Sequence, residues 1–204
     1  MIIKTYIEPP IENNNYLLIE ENSKEAALVD CSGIGSNDEI LLELKKHNAE
    51  LKYILLTHGH FDHITGVPSY SEVEVLMHEA DINWVNNLNQ YLPMLGLPEM
   101  EIPKITKFIK DGDIIKLGEK DIKVIHTPGH TQGGVCFLVD NNLFSGDTIF
   151  RESVGRCDLE GGNFNQIVES IESKIFTLSP ETNIYPGHGR NTTVAWEKEH
   201  NSYL

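Results

Sequence analysis

The chain has 204 residues, of which 40% are hydrophobic and 23% are charged, and this composition suits one globular domain with a substantial core. Thirty-one acidic residues against 16 basic ones give a formal net charge of −15, and the basic residues form no dense run. This balance argues against a nucleic-acid-binding surface, which needs clustered lysine and arginine. No apolar run approaches the roughly 18 residues of a membrane span, so we expect neither a nucleic acid nor a membrane as a partner.

The N-terminus and the cysteines indicate the compartment. Residues 1–6 read as a strand rather than as a signal peptide, because they lack a basic start, a long apolar stretch and a small-residue cleavage site. Cys31, Cys136 and Cys157 are widely spaced and form no CxxC pair, so a disulfide framework is not expected. We therefore expect a cytoplasmic protein that folds as a single domain over residues 1–204. The sequence leaves the oligomeric state open.

Short β-type segments dominate the first third of the chain, broken by Pro9-Pro10 and by three consecutive asparagines. The predicted strands of this region are Ile2–Ile7, Tyr16–Glu20, Ala26–Asp30 and Tyr53–Leu56. A helix is predicted from Ser36 to Asn48, where Ser36 and Glu39 fit a capping box. Its expected apolar face consists of Ile40, Leu41 and Leu44.

The remainder of the chain predicts a second group of strands with helices before and after it. The further predicted strands are Glu74–Met77, Ile105–Ile109, Ile122–Ile125, Val135–Val139, Leu143–Phe144 and Asn183–Tyr185. Helices are predicted at Glu79–Leu88 and Asn165–Leu178, and the chain is expected to end in a polar tail, Glu197–Leu204. This order indicates an α/β (α+β) fold built as a layered sandwich, not a doubly wound parallel sheet. The apolar, proline-broken stretch from Gln90 to Pro98 is either a loop folded over the core or a rim of the functional site.

The most informative stretch runs from Thr57 to His63, directly after a predicted strand. It carries four potential metal ligands within six residues, namely His58, His60, Asp62 and His63. Packing does not explain such a cluster, because unpaired polar groups at a buried strand end are costly. Imidazole and carboxylate suit zinc, iron or manganese, and this mixture suits more than one ion. The stretch therefore predicts a metal site.

Three further predicted strands end in a turn that carries a potential ligand. His130 and His188 each follow a Pro-Gly turn, and Asp147 follows a Ser-Gly turn. Proline and glycine let the backbone turn sharply at the strand end and so aim the side chain that follows. We expect these three residues to join the first four.

With these motifs the chain resembles the metallo-β-lactamase superfamily over nearly its full length. The resemblance implies a four-layer αβ/βα sandwich with two divalent metal ions at one edge, between the sheets. The implied ligands of one ion are His58, His60 and His130, those of the other are Asp62, His63 and His188, and Asp147 bridges the two. The ions would share a hydroxide that attacks a carbonyl, and Asp62 would orient this nucleophile as a catalytic residue.

Within the superfamily, the chain is most similar to the short, single-domain glyoxalase II-like hydrolases. The motifs that carry this likeness are Gly146-Asp147-Thr148-Ile149-Phe150, Gly155-Arg156-Cys157-Asp158 and Gly161-Gly162. They imply hydrolysis of S-D-lactoylglutathione or a related acylthiol, with zinc expected and iron or manganese as alternatives. Arg156 falls at the position where a basic residue of classical glyoxalase II contacts a glutathione carboxylate. A salt bridge to Asp158 or Glu160 explains an arginine at this position equally well. The sequence ends at Leu204 without the helical domain that supplies further glutathione contacts in classical glyoxalase II, so the thiol carrier stays open.

Three alternatives remain open at the level of the sequence. In a persulfide dioxygenase a single iron would bind His58, His130 and Asp147, but the Pro-Gly-His-Gly around His188 speaks against that branch. A lactonase would use the same seven ligands. A non-enzymatic metal-binding module is the weakest alternative, because no ligand is missing. Class B β-lactamases fit less well, since they carry a signal peptide, usually lack a ligand at the His63 position and have cysteine where Asp147 stands.

Overall fold

The computed structural model describes residues 1–33 and 35–204, which form two six-stranded sheets and a small two-stranded one. The strands are β1 (Ile2–Glu8), β2 (Asn13–Ile19), β3 (Glu25–Val29), β4 (Glu50–Leu55), β5 (Glu74–His78), β6 (Lys107–Ile109), β7 (Ile114–Leu117), β8 (Lys120–His126), β9 (Val135–Val139), β10 (Asn142–Gly146), β11 (Ile149–Phe150), β12 (Ser153–Val154), β13 (Asn183–Pro186) and β14 (Thr192–Thr193). The helices are α1 (Asn37–His47), α2 (Phe61–Ile64), α3 (Ile82–Asn86), α4 (Leu88–Tyr91), α5 (Phe164–Ser170) and α6 (Val194–His200). Short 3₁₀ turns cover Val67–Ser69, Glu79–Asp81 and Leu92–Leu95, and a π-helical turn covers Ile171–Ile175.

The order of the strands brings several strand ends to one edge of the molecule. The first sheet has the order β1-β2-β3-β4-β5-β6, and its strands are parallel from β3 onward. The second sheet has the order β14-β13-β10-β9-β8-β7, in which β10 and β13 are parallel neighbours. Gly146 at the end of β10 pairs with Pro186 at the end of β13. The residues that follow these two strands, Asp147 and Gly187-His188, must therefore lie side by side.

Three apolar clusters hold four layers together. Between the sheets, residues such as Leu18, Leu55, Phe137 and Phe144 are buried against one another. The outer face of the first sheet packs on α1, α3 and α4, and the outer face of the second packs on α5, the π-helical turn and α6. This arrangement confirms the predicted four-layer αβ/βα sandwich.

The helix predicted from Ser36 to Asn48 is present, but two of its predicted details are wrong. Ser36 adopts a helical backbone conformation, and its side chain makes no capping hydrogen bond; its backbone N–H instead donates to Glu8 Oε1. Leu41 is 50% exposed, whereas Ile40 and Leu44 are buried, because a residue one position along a helix points about 100° away.

Other helix predictions are wrong in extent. The region predicted as one helix, Glu79–Leu88, consists of a 3₁₀ turn, α3 and the start of α4, and the helix predicted to reach Leu178 ends in a π-helical turn. The predicted polar tail is largely the helix α6, in which Glu197 is fully buried. Its carboxylate accepts hydrogen bonds from Thr192 Oγ1, the backbone N–H of Glu152 and Asn201 Nδ2, so a residue type typical of tails serves here as a buried acceptor.

Candidate metal centre

The turn from Thr57 to His63 follows β4, and hydrogen bonds to a buried aspartate fix its first residue. Asp30, at the end of β3, accepts hydrogen bonds from the backbone N–H of Thr57 and from Thr57 Oγ1, both at 2.8 Å. The helix α2 then begins at Phe61, which places Asp62 and His63 on its first turn. The sequence therefore presents two histidines on the turn and two further ligands on a helical start.

All seven residues predicted as ligands converge. Three groups have potential ligand atoms within 4.8 Å of one another: His58, His60 and His130; His58, His63 and Asp147; Asp62, His63 and His188. Asp147 lies between the first and third groups, since its Oδ2 is 3.5 Å from His130 Nε2 and its Oδ1 is 3.5 Å from His63 Nε2. The geometry therefore has the two sets and the bridging position that the resemblance implies, and ligation itself stays a prediction.

Several polar atoms in this cluster lack a protein partner. Within residues 1–33 and 35–204, the buried Nε2 atoms of His58, His60 and His63 and Oδ1 of Asp147 have no hydrogen-bond partner. Leaving such atoms buried and unpaired costs roughly 1–3 kcal/mol each. Divalent cations held by the two ligand sets would give partners to atoms of this kind, so the residues fit a two-metal site.

The two ligand sets differ in protonation. Burial, reinforced by neighbouring imidazoles, lowers the pKa of His58 well below its usual value and that of His60 to about 3, so both rings are neutral. Burial alone would also lower the pKa of His63, but the surrounding carboxylates, led by Asp30, outweigh it and raise the pKa to about 10. Burial likewise opposes the ionised form of Asp62, yet His63 and His188 hold its pKa below the usual value. His58 and His60 are therefore ready to bind a cation, whereas His63 holds a proton that a cation must displace.

Two buried aspartates that the sequence did not single out support the ligands. Asp30 Oδ2 lies 2.8 Å from His63 Nδ1, which leaves Nε2 of that ring facing the cluster. Asp81 accepts hydrogen bonds from the backbone N–H of Gly59 and from Thr131 Oγ1, and so ties the first ligand turn to the turn that carries His130. The position of Asp30 directly after an apolar strand is the signal that could have identified it, whereas Asp81 resembles an ordinary helix-start residue.

A glycine makes room for the bridging carboxylate. A Cβ atom on Gly187 would collide with Asp147 Oδ1 and would lie 2.8 Å from Cε1 of His63. The Pro-Gly turn before His188 therefore provides space as well as a sharp change of direction.

A cavity of about 750 Å³ opens beside the ligand cluster. Asp62, His60 and Asp147 form part of its floor, and Arg156 lies at its edge. The Arg156 guanidinium is paired with Asp158 through two contacts of 2.7 and 2.8 Å, so the salt bridge considered from the sequence is present. The backbone carbonyl of Arg156 also lies 2.7 Å from His130 Nδ1, a contact to a ligand that the sequence did not predict.

The stretch from Gln90 to Pro98 combines both of its predicted roles. Leu92 is fully buried in the core, whereas Tyr91, Met94 and Leu95 line the cavity. The segment is thus packed on the core and forms a rim of the site.

In the part of the chain that the structure describes, no helix has both the length and the apolar character needed to cross a membrane.

Comparison with known proteins yields a consistent set of relatives. The model of the metallo-beta-lactamase superfamily matches residues 10–188. The hydroxyacylglutathione hydrolase GloC of Haemophilus influenzae is 30% identical over 202 residues, which cover 93% of this chain and 92% of GloC.

Two solved structures are similar over almost their whole length. The B3 metallo-beta-lactamase BLEG-1 superimposes with a TM-score of 0.88 at 33% identity, covering 100% of this chain and 99% of BLEG-1. TTHA1623 in a di-iron-bound form superimposes with a TM-score of 0.85 at 30% identity, covering 98% of this chain and 100% of TTHA1623.

Proposed function

The chain belongs to the metallo-β-lactamase superfamily, and on that premise we propose that it is a metal-dependent thioester hydrolase acting on S-D-lactoylglutathione or a related acylthiol. The observation that carries the proposal is the convergence of two ligand sets on Asp147, beside a cavity large enough for a small-molecule substrate. The 30% identity to GloC supports the thioester branch. We further propose two zinc ions and a cytoplasmic location, with iron as the alternative metal because TTHA1623 was solved in a di-iron-bound form.

The roles of the residues follow from their positions. Bound divalent ions would supply an acidified water as nucleophile and a Lewis acid for the carbonyl oxygen. Asp62 faces both the cavity and the second ligand set, and its lowered pKa keeps it ionised, so it can accept a proton of that water and orient it. Asp147 holds the two sets at a fixed separation, and Asp30 fixes the ring of His63.

The test is a substrate panel run on protein of measured metal content. We expect about two metal ions per chain and turnover of S-D-lactoylglutathione or other acylthiols. A single iron with oxygen uptake on glutathione persulfide would refute the proposal in favour of a dioxygenase, and turnover of lactones alone would favour a lactonase. Because Asp62 is also a predicted ligand of the second ion, Asp62→Asn is assayed after reloading to two ions; that reloaded protein should have lost most of kcat, and full turnover in it would refute the orienting role.

Hydrolysis of β-lactams is a second candidate, because the chain is 33% identical to BLEG-1 over its full length. A chromogenic cephalosporin in the same panel distinguishes the two. Cephalosporin turnover that exceeds thioester turnover in kcat/KM would replace the thioesterase proposal.

Arg156 is the proposed contact for a carboxylate of the substrate, which must displace Asp158 from the guanidinium. Arg156→Ala should raise KM for glutathione thioesters a few-fold without loss of metal. Arg151→Ala is the matched control, since Arg151 lies over the ring of Trp196 rather than in the cavity. An unchanged KM in Arg156→Ala would refute the contact.

A further inference from the structure

One wall of the cavity comes from a single apolar segment, residues 84–95. Trp84, Leu88, Tyr91, Met94 and Leu95 all line it. The wall begins at the metal ligands, because the ring of Trp84 lies edge-on to the ring of His60 with 4.5 Å between centroids. The ring of Tyr91 continues it at 4.7 Å from Trp84. An apolar surface therefore extends outward from the point where the reacting carbonyl would lie.

The rest of the cavity lining contributes further apolar side chains, namely Ile11, Phe150, Val154 and Leu159. Phe150 also reaches the ligands, since its ring centroid lies 6.1 Å from that of His188. Among the described residues that line the cavity, the polar side chains are therefore concentrated at the predicted metal ligands and at the edge that carries Ser153, Arg156 and Glu160.

The mouth of the cavity exposes large apolar side chains. Met94 is 82% exposed, Leu95 56% and Ile11 43%. Isolated exposed apolar residues are common, but a group of them around one opening marks a surface that a ligand covers. Methionine suits such a position, because its flexible thioether adapts to ligands of different shape.

The cavity offers little recognition of negative charge. Among the described residues that line it, Arg156 is the only lysine or arginine, and its guanidinium is already paired with Asp158. Glu160 lies at the same edge, where its Oε2 accepts a hydrogen bond of 3.4 Å from the Tyr91 hydroxyl. A glutathione carrier brings two carboxylates, and it would meet one occupied cation and these two acids.

We propose that the acyl part of the substrate is an apolar chain, a medium-length alkanoyl group, and that apolar contact rather than the thiol carrier supplies most of the binding. This inference rests on the proposed thioester hydrolysis and names its substrate class. The carbonyl lies at the ligand floor, and the acyl chain runs outward along the segment 84–95 and the other apolar lining residues.

The test pairs each acyl group with two carriers, charged glutathione and neutral N-acetylcysteamine. On both carriers kcat/KM should rise roughly fourfold for each methylene from acetyl through butanoyl to hexanoyl, as the burial of a methylene predicts. Exchanging glutathione for N-acetylcysteamine should change kcat/KM less than lengthening the acyl chain from acetyl to hexanoyl does. A flat dependence on chain length, or a preference for the lactoyl thioester, would overturn the inference.

Variants at the rim localise the effect. Leu95→Gln and Met94→Gln should flatten the dependence of kcat/KM on acyl-chain length. Leu42→Gln is the matched control, because Leu42 is 67% exposed on α1 and outside the cavity. If all three variants weakened the dependence of kcat/KM on acyl-chain length equally, the acyl chain would not bind in this cavity.

A binding measurement separates this inference from the proposed function. The chain has two tryptophans, so in a Trp196→Phe protein Trp84 alone reports on the cavity through its fluorescence. S-alkyl thioethers of N-acetylcysteamine cannot be hydrolysed, and their Kd should fall roughly fourfold per methylene from butyl to octyl. Such a fall without any thioester turnover would refute the proposed function and leave the apolar site standing. Thioester turnover, combined with Kd and kcat/KM values that do not change with chain length, would refute the apolar acyl site and leave the proposed function standing.

Discussion

Replacing Asp30 with asparagine should selectively weaken the second metal site. Asp30 is 1% exposed, and its two oxygens serve three donors: the backbone N–H and the hydroxyl of Thr57 and Nδ1 of His63, each at 2.8 Å. Asparagine has the same shape but only one acceptor oxygen. If that oxygen faces His63, the amide NH₂ meets the N–H of Thr57, and two donors oppose each other. If it faces the N–H of Thr57, the NH₂ group favours a His63 ring protonated on Nε2, the atom that should bind the metal.

Either orientation penalises the second ligand set directly, whereas Asp30 reaches the first set through Thr57, whose Oγ1 lies 3.0 Å from His58 Nδ1. Loss of a residue that orients a metal ligand typically costs 10- to 100-fold in affinity. That range corresponds to about 1.4–2.8 kcal/mol at the second ion. The Asp30→Asn protein should therefore keep one ion near wild-type affinity and bind the other 10- to 100-fold more weakly.

Competition with a chromophoric chelator measures both affinities, and a circular dichroism melt shows whether the variant is folded. Asp121→Asn is the control for loss of a carboxylate, because Asp121 is exposed at the start of β8 and pairs with the exposed Lys116, away from the ligand cluster. A folded Asp30→Asn protein that binds two ions with unchanged affinities would refute the reasoning.

Three further predictions concern protons, space and stability. Because the carboxylates raise the pKa of His63 to about 10, the metal-free ring is protonated at neutral pH. Asp62 and Asp147 outweigh burial and raise the pKa of His188 as well. Kd for the second ion should therefore fall roughly tenfold or more for each unit by which the pH rises towards the pKa of His63, with release of at least one proton, and an affinity independent of pH would contradict this. Gly187→Ala should lower the metal content from two ions towards one, measured by elemental analysis, because the added methyl group collides with Asp147; retention of two ions would show that the turn can relax. Glu197→Ala should lower the free energy of unfolding by about 3 kcal/mol, because it leaves buried hydrogen-bond donors without an acceptor. A urea titration measures this change, and the control Glu199→Ala, at an exposed position, should change the free energy by less than about 0.5 kcal/mol.

The convergence of the seven candidate ligands could be predicted from the sequence because metal chemistry restricts residue type and the turns restrict position. Only a few side chains bind first-row metals, so four of them in the six residues from His58 to His63 carry information that packing cannot mimic. The proximity of Asp147 and His188 is different, since it depends on β10 and β13 being parallel neighbours although about 40 residues separate them. The turns at the strand ends predicted that both residues join the cluster, and the resemblance implied their places in it, but the periodicity of either strand alone does not predict this pairing.

Supporting residues and cavity walls were harder to predict, for two physical reasons. Asp30 and Asp81 act through hydrogen bonds whose partners are distant in sequence, and an isolated aspartate beside a strand or helix is compatible with many local roles. In the segment 84–95, neighbouring apolar residues point in different directions: Leu92 packs into the core, whereas Met94 and Leu95 face the cavity. Hydrophobic pattern alone does not distinguish these two uses, because both are satisfied by the same residue types.

The difference between ligands and walls has a consequence for where specificity resides. A metal ligand can be replaced by very few residue types, whereas an apolar wall can be rebuilt from many combinations of leucine, methionine and aromatic residues at little cost to the fold. Relatives with the same seven ligands can therefore act on different substrates when the segments equivalent to 84–95 and 150–160 differ. For this chain, exchanging the rim should change which acyl group is preferred while the metal content stays constant. The segment 84–95, which carries no motif, is thus one on which we expect the choice of substrate to depend.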